Sequence, residues 1–179
     1  MRQIALLRGV NLGPSRRVAM ADLRALATGL GYEDVATLLQ SGNVVLTTRK
    51  RPATVKRELE RAIASELGLE TEVFVRTRDE LAKVIALDPL RAVAADPSRY
   101  VVSFLSGAPA AALRRELESL AAAPERIAFA GREIYTWHPN GHARSKLAAQ
   151  LAQRGLGVGA TARNWNTVTK LLALADRAS

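Results

Sequence analysis

The chain is 179 residues long, 48% hydrophobic and 24% charged, with a formal net charge of +9 and no cysteine. Length and composition fit one globular domain or two small halves sharing a core. The lack of cysteine excludes disulfides, thiolate-held clusters and a thiol nucleophile, and no run approaches the ~18 apolar residues needed to span a bilayer.

Residues 3–8 read as a strand that ends in the glycine-punctuated loop Arg8–Gly13. Asp22 is expected to cap a helix with Leu23, Leu26, Ala27 and Leu30 on one face, ended by Gly31. Val35–Gln40 and Val44–Thr48 form a hairpin around Ser41-Gly42-Asn43. Pro52 precedes a helix with Val55, Leu59, Ile63 and Leu67 in register, stopped at Gly68. Thr71–Arg76 is a further strand. Thr77 and Glu80 form a capping box that opens a helix to about Leu87. The order β-α-β-β-α-β is that of a split βαβ, or ferredoxin-like, fold over residues 1–88. Residues 89–98, carrying two prolines, read as a connection. The second half, 99–179, has a strand at Tyr100–Leu105 and a helix from Pro109. A hairpin of Arg126–Ala130 and Glu133–Trp137 turns at Gly131. Ser145 caps a helix ended by Gly155, and a final helix carries Trp165, Val168, Leu171, Leu172 and Ala175 on one face. The expected class is α+β, with a ferredoxin-like half packed against a smaller α+β half that ends in two helices.

In a ferredoxin-like sheet the strand order is 4-1-3-2 and neighbours are antiparallel, so strands one and two run the same way. The Arg8–Gly13 loop and the Ser41–Asn43 turn then share one sheet edge. Strands one and three are apolar on both faces, so the second face is expected to be covered, by the C-terminal half. RNA-recognition domains share this strand order but carry stacking aromatics on the two central strands. Here those strands have none.

The basic excess is uneven. Residues 1–21 contain four arginines and no acid. Residues 22–133 contain 16 basic and 16 acidic residues. Residues 134–175 contain Arg144, Lys146, Arg154, Arg163 and Lys170 and no acid. The preponderance of arginine is what a GC-rich genome produces, but such a bias would spread the charge. Clustering at the two ends points to an anionic partner if the two ends meet in space. Arg163–Thr167 is read as the opening turn of the last helix, where free N–H groups and the helix dipole favour an anion. Asn164 or Asn166 serves equally as an N-cap there, and Trp165 as core. Arg8, with Asn11 and Gly13, suits phosphate or carboxylate, or else a tight turn whose arginine pairs with a local acid.

Several motifs are rejected. Gly155–Ala160 matches G-x-G-x-x-A, but it follows a helix, whereas a dinucleotide fingerprint must follow a strand. His138 and His142 are four apart, yet Pro139 and Gly141 forbid the helix that would align them, and no metal set is completed. His138 as a general base has no orienting acid within 134–175. Ser41 lies in a turn but not in a nucleophile elbow. No cofactor, metal or catalytic template is implied. The apolar run before Arg8 is too short for a signal peptide, so a cytoplasmic protein without a membrane partner is expected.

The stretches Ala5–Gly13, Met20–Arg24, Leu39–Val45, Arg144–Leu147 and Ala160–Val168 resemble, in order and over nearly the whole chain, the bacterial domain of unknown function 1697 family. The resemblance implies a two-part α+β protein with a ferredoxin-like first half, and it implies no activity. Family members usually have a second glycine where Pro14 stands and a lysine near Arg17. Pro14 stiffens the loop, against a glycine-rich phosphate cradle, and Arg17 keeps the charge. The leading functional expectation is a binding module for an anionic ligand: a nucleotide, a phosphorylated metabolite or nucleic acid. Its site would use Arg8, Asn11, Ser41, Asn43, Arg144, Lys146, Arg163, Asn164 and Asn166. One alternative is a small transferase or hydrolase in which Arg8 and Arg163 stabilise developing charge while Ser41 or His138 moves a proton. The other is an interaction scaffold whose polar motifs hold the halves together.

Overall fold

Alternating apolar residues with β-branched neighbours favour extended chain, and 3.6-residue periodicity favours helix. Both signals are realised in a mixed α+β protein. A computed structural model describes residues 1–177, apart from the side chain of Ser15. Among them are two four-stranded antiparallel sheets and six α-helices. Chain contacts define two units, Met1–Lys83 with Lys170–Ser179, and Val84–Thr169.

The first sheet has the order β2-β3-β1-β4. It comprises β1 (Arg2–Leu7), β2 (Glu33–Leu38), β3 (Asn43–Thr47) and β4 (Val73–Thr77). β1 and β2 each pair antiparallel with β3, so they run the same way, as the sequence predicts. Helices α1 (Met20–Gly29) and α2 (Pro52–Leu67) pack on one face. Ala5, Leu7, Val44 and Leu46 meet Leu23, Ala27, Leu59 and Ile63 there. Each buried Leu, Val or Ile among them contributes roughly 1.5–3 kcal/mol. Ile4, Leu6, Val45 and Phe74, on the opposite face, are buried too. α2 starts at Pro52, where the missing N–H costs nothing, and ends at Gly68 in the left-handed conformation.

α3 (Arg78–Leu87) follows β4 directly, and its capping box is formed. Glu80 N donates to Thr77 Oγ1 at 3.1 Å and Thr77 N to Glu80 Oε2 at 2.8 Å. Two expectations need correction. Ala19 occupies the N-cap of α1, and Asp22 lies inside the first turn, where a carboxylate still complements the dipole. β2 ends at Leu38, before the expected Gln40, because Leu39 takes a left-handed φ of 58° that breaks the strand.

The second sheet has the order β6-β7-β5-β8. It comprises β5 (Tyr100–Leu105), β6 (Arg126–Ala130), β7 (Glu133–Trp137) and β8 (Ala160–Asn164). Helices α4 (Ala111–Ser119) and α5 (Lys146–Arg154) lie in the same unit, and α6 (Trp165–Asp176) starts in it. β8 corrects the sequence reading, which ran from helix to helix here and placed Arg163 on a first helical turn. Residues 160–164 instead pair antiparallel with β5, and α6 starts at Trp165. The second half is therefore β-α-β-β-α-β-α, the same order as the first. Gly155–Ala160 joins α5 to β8, the reverse of the strand-to-helix setting that a dinucleotide fingerprint needs.

Candidate functional site

The loop after β1 and the β2–β3 turn meet at one edge of the first sheet. Asn11 makes the junction. Its Nδ2 donates to Val18 O at 3.0 Å and Gln40 O at 2.6 Å, and its Oδ1 accepts from Val18 N at 2.8 Å. Asn11 has a φ of 56°, a conformation asparagine tolerates better than most residues. Gly42 passes so close that an added Cβ would lie 2.6 Å from Val10 Cγ2 and 2.8 Å from Leu7 Cβ. Asn43 is fully buried, with Nδ2 on Leu38 O and Ser41 Oγ. Arg16 ties Gly9 O at 2.7 Å to Glu70 O at 3.1 Å. Arg8 stays exposed and reaches Glu72 at 3.5 Å, an ion pair worth little at a surface. Asn11, Pro14, Arg17, Val18 and Gln40 help to line an open cavity of about 480 Å³ beside this junction.

In the second unit the polar residues gather around the start of α5. Ser145 caps the helix, its Oγ accepting from Ala148 N at 2.8 Å. The same hydroxyl is 2.7 Å from His138 Nδ1, while His138 Nε2 is 2.8 Å from Thr136 Oγ1. The Ser145 and Thr136 hydroxyls can each donate to or accept from the ring, so both ring nitrogens are hydrogen-bonded in either neutral tautomer. Burial, and then the facing His142, lower the His138 pKa to about 4. Both nitrogens are committed, and a pKa that low makes a weak base.

Glu125, from outside the acid-free stretch, supplies the carboxylate the sequence reading did not find. Its Oε2 accepts from Leu147 N at 3.0 Å, and its Oε1 lies 3.8 Å from His138 Nδ1. Arg144 and Lys146 flank Ser145 on the outside. Both are exposed, and neither side chain has a hydrogen-bond or ion-pair partner among the described residues. With Glu125, Pro124, Asn140 and Gln150 they help to line a cavity of about 320 Å³.

The third group lies at the junction of β8 and α6. Arg163 is 8% exposed, and its Nη1 donates to Thr161 Oγ1 at 2.9 Å and Ala162 O at 2.7 Å. Burial lowers its pKa to about 10. Asn164 caps α6, with Oδ1 accepting from Thr167 N at 2.9 Å. Asn166 is exposed on the first turn. Trp165 stacks on Tyr100 with ring centroids 4.6 Å apart.

The predicted residues thus fall into separate groups. Arg8, Asn11, Ser41 and Asn43 converge at the edge of the first sheet. Arg144 and Lys146 share one cavity wall in the second unit. Arg163, Asn164 and Asn166 follow one another across a strand–helix junction. Sequence reasoning does not single out Glu125, Thr136 or Ser145 as ligand-site residues. One signal was available: Thr136 and His138 are two apart at a strand end and so share a face. No group of three or more His, Cys, Asp or Glu able to hold a metal ion occurs among the described residues. No helix among them is long and apolar enough to cross a membrane.

Comparison with known proteins adds family and fold. A family model described as "Protein of unknown function (DUF1697)" matches residues 1–135. The chain is also similar in structure to the conserved bacterial protein SP0830 from Streptococcus pneumoniae. The TM-score is 0.80 at 24% identity, over 98% of each chain. At that identity the likeness shows the fold alone. No curated protein matches.

Proposed function

The chain belongs to the DUF1697 family of proteins of unknown function, and from that premise we propose that it is a binding module for a small anionic ligand seated beside α5. One observation carries this reading. Arg144 and Lys146 are exposed, lack partners among the described residues and line the same cavity. The other cations of this acid-free stretch within the unit are committed elsewhere. Arg154 pairs with Glu116 and Arg163 is buried. A concavity of about 320 Å³ is at the small end for ligand sites. It suits a phosphorylated metabolite or mononucleotide better than a nucleic acid, which asks for a basic track with stacking platforms.

In the first unit a separate observation favours a structural role for the polar residues within that unit. Asn11, Asn43 and Arg16 spend their donors on backbone carbonyls and a neighbouring hydroxyl of the same edge. We assign this unit a ferredoxin-like fold. The element order β-α-β-β-α-β and the strand order β2-β3-β1-β4 support that assignment.

The test is a thermal-shift screen against inorganic phosphate, mononucleotides and sugar phosphates at low and high salt. A ligand at a hundred times its Kd stabilises by about 2.7 kcal/mol. For a chain of this size that is roughly 5–10 °C in Tm. The shift should fall with salt and vanish in the Arg144→Ala/Lys146→Ala double variant. Absence of any shift, or a full shift in the double variant, refutes the proposal.

A further inference from the structure

We propose that the cavity beside α5 recognises a zwitterion, a small molecule carrying a phosphate or carboxylate together with a primary ammonium group. This rests on the anion-binding reading above and narrows it. The argument starts from Glu125. A carboxylate in the wall of an anion site repels the ligand, unless the ligand also brings positive charge or a donor. Glu125 has one clear structural duty, accepting from Leu147 N through Oε2. That duty uses one of its two oxygens.

The other oxygen, Oε1, makes no hydrogen bond among the described residues. Its near neighbour, His138 Nδ1, lies at 3.8 Å, beyond hydrogen-bond distance, and is already bonded to Ser145 Oγ at 2.7 Å. The Glu125 side chain keeps 15% exposure and lines the cavity together with Arg144 and Lys146. A carboxylate accepts about four hydrogen bonds, and an ammonium donates three. The cavity therefore presents two unpartnered cations and one half-used carboxylate. Pro124, Leu120 and Ala122 supply the apolar part of the wall. A ligand without a donor leaves the Glu125 charge unmatched.

The amides of Asn140 and Gln150 complete the lining. An amide both donates and accepts, so these two residues tolerate either end of the ligand. The N-terminal N–H groups of α5 do not enter the argument, because Glu125 and Ser145 already occupy those of Leu147 and Ala148.

The test compares O-phosphoethanolamine with ethyl phosphate, which differ only by the ammonium group, by isothermal titration calorimetry on the full chain. The wild type is expected to bind O-phosphoethanolamine about tenfold more tightly. Glu125→Gln keeps an acceptor for Leu147 N and should abolish that preference, while ethyl phosphate binds as well as before or better. Arg144→Ala/Lys146→Ala should weaken both ligands. Equal affinities in the wild type overturn the proposal without any variant, as does a preference that survives Glu125→Gln. If other phosphates bind and neither of these does, the zwitterion reading fails alone. If no anion binds at all, it falls together with the anion-binding reading.

Discussion

The two halves of the chain repeat one another strand for strand, and they differ where the loops leave the sheets. In the first half Arg2 pairs with Thr47 and Gln3 with Thr77. In the second, Tyr100 pairs with Trp137 and Val101 with Asn164. The correspondence extends past the strand ends. Leu7 N donates to Gly42 O and Leu105 N to Arg132 O; Arg8 N donates to Glu72 O and Ser106 N to Gly159 O. Even buried charge recurs, with Arg76 and Arg163 each next to last in the edge strand that feeds a helix. Backbone register thus holds where side chains have diverged. The first half ties its edge with the Asn11 and Arg16 clamps beside one open cavity, and the second has a cavity beside α5 that two unpartnered cations line. A sheet scaffold tolerates either solution because loops carry the difference.

The largest expected effect tests how tightly the first edge is closed. Gly42 and Gly131 are the left-handed glycines of the two hairpin turns, with φ of 72° and 58°. A Cβ on Gly42 would collide with Val10 and Leu7, whereas on Gly131 it meets nothing nearer than 3.9 Å. The left-handed conformation costs alanine roughly 1–2 kcal/mol, and overpacking adds about 1–3. Gly42→Ala should therefore lose about 3 kcal/mol in urea unfolding, and Gly131→Ala about 1. Equal losses would mean that the first edge relaxes as freely as the second.

The next effect separates the halves by pH. Thr48 and His138 occupy corresponding places, each N–H donating to the residue before the first strand of its half, Met1 and Arg99. Only the second half has a titratable group there. Its folded-state pKa of about 4 lies below the unfolded value of about 6.5. The neutral form is the one folding favours, so this stability is whole above pH 6.5 and is lost as pH falls toward 4. The shift corresponds to about 3 kcal/mol. His142 and Glu125 face the ring, with Thr136 and Ser145 as its hydrogen-bond partners, so the readout is a difference. Unfolding free energy measured from pH 7 to 4.5 should decline less steeply in His138→Gln than in the wild type. Parallel declines would assign the acid sensitivity to other groups.

Most of the first sheet was legible in the sequence, because its signals are local. The apolar alternation of β1 and β3, Gly68 after α2 and the Thr77–Glu80 box each act within a few residues, and topology then put two loops on one edge. β8 escaped because Ala160–Asn164 has neither an apolar run nor β-branched enrichment beyond Thr161. Its strand character comes from pairing with β5, a long-range contact that propensity does not report. The repeat was the missed clue, since the first half requires a strand at this point. The site was legible in part for the same reason. Arg144 and Lys146 announced themselves by charge, whereas Glu125 lies 20 residues from Ser145 and meets the start of α5 only in the folded chain.

The smallest expected effect asks whether corresponding places do the same work with different chemistry. Thr77 ends β4 and Asn164 ends β8; each pairs with β1 or β5 and each caps the helix that follows without a linker. Thr77 adds a reciprocal bond from its own N–H to Glu80 Oε2, so its cap has two arms. Asn164 Oδ1 accepts both Thr167 N and Thr167 Oγ1, so its cap also binds twice, from one atom. Loss of a cap costs about 1 kcal/mol. Thr77→Ala and Asn164→Ala should each lower the unfolding free energy by about that much, and Thr77→Ser and Asn164→Asp should restore most of it. A loss at Asn164 well above 1 kcal/mol that aspartate does not recover would show that the amide holds more than the helix. The repeat would then break at the residue that joins its last strand to its last helix.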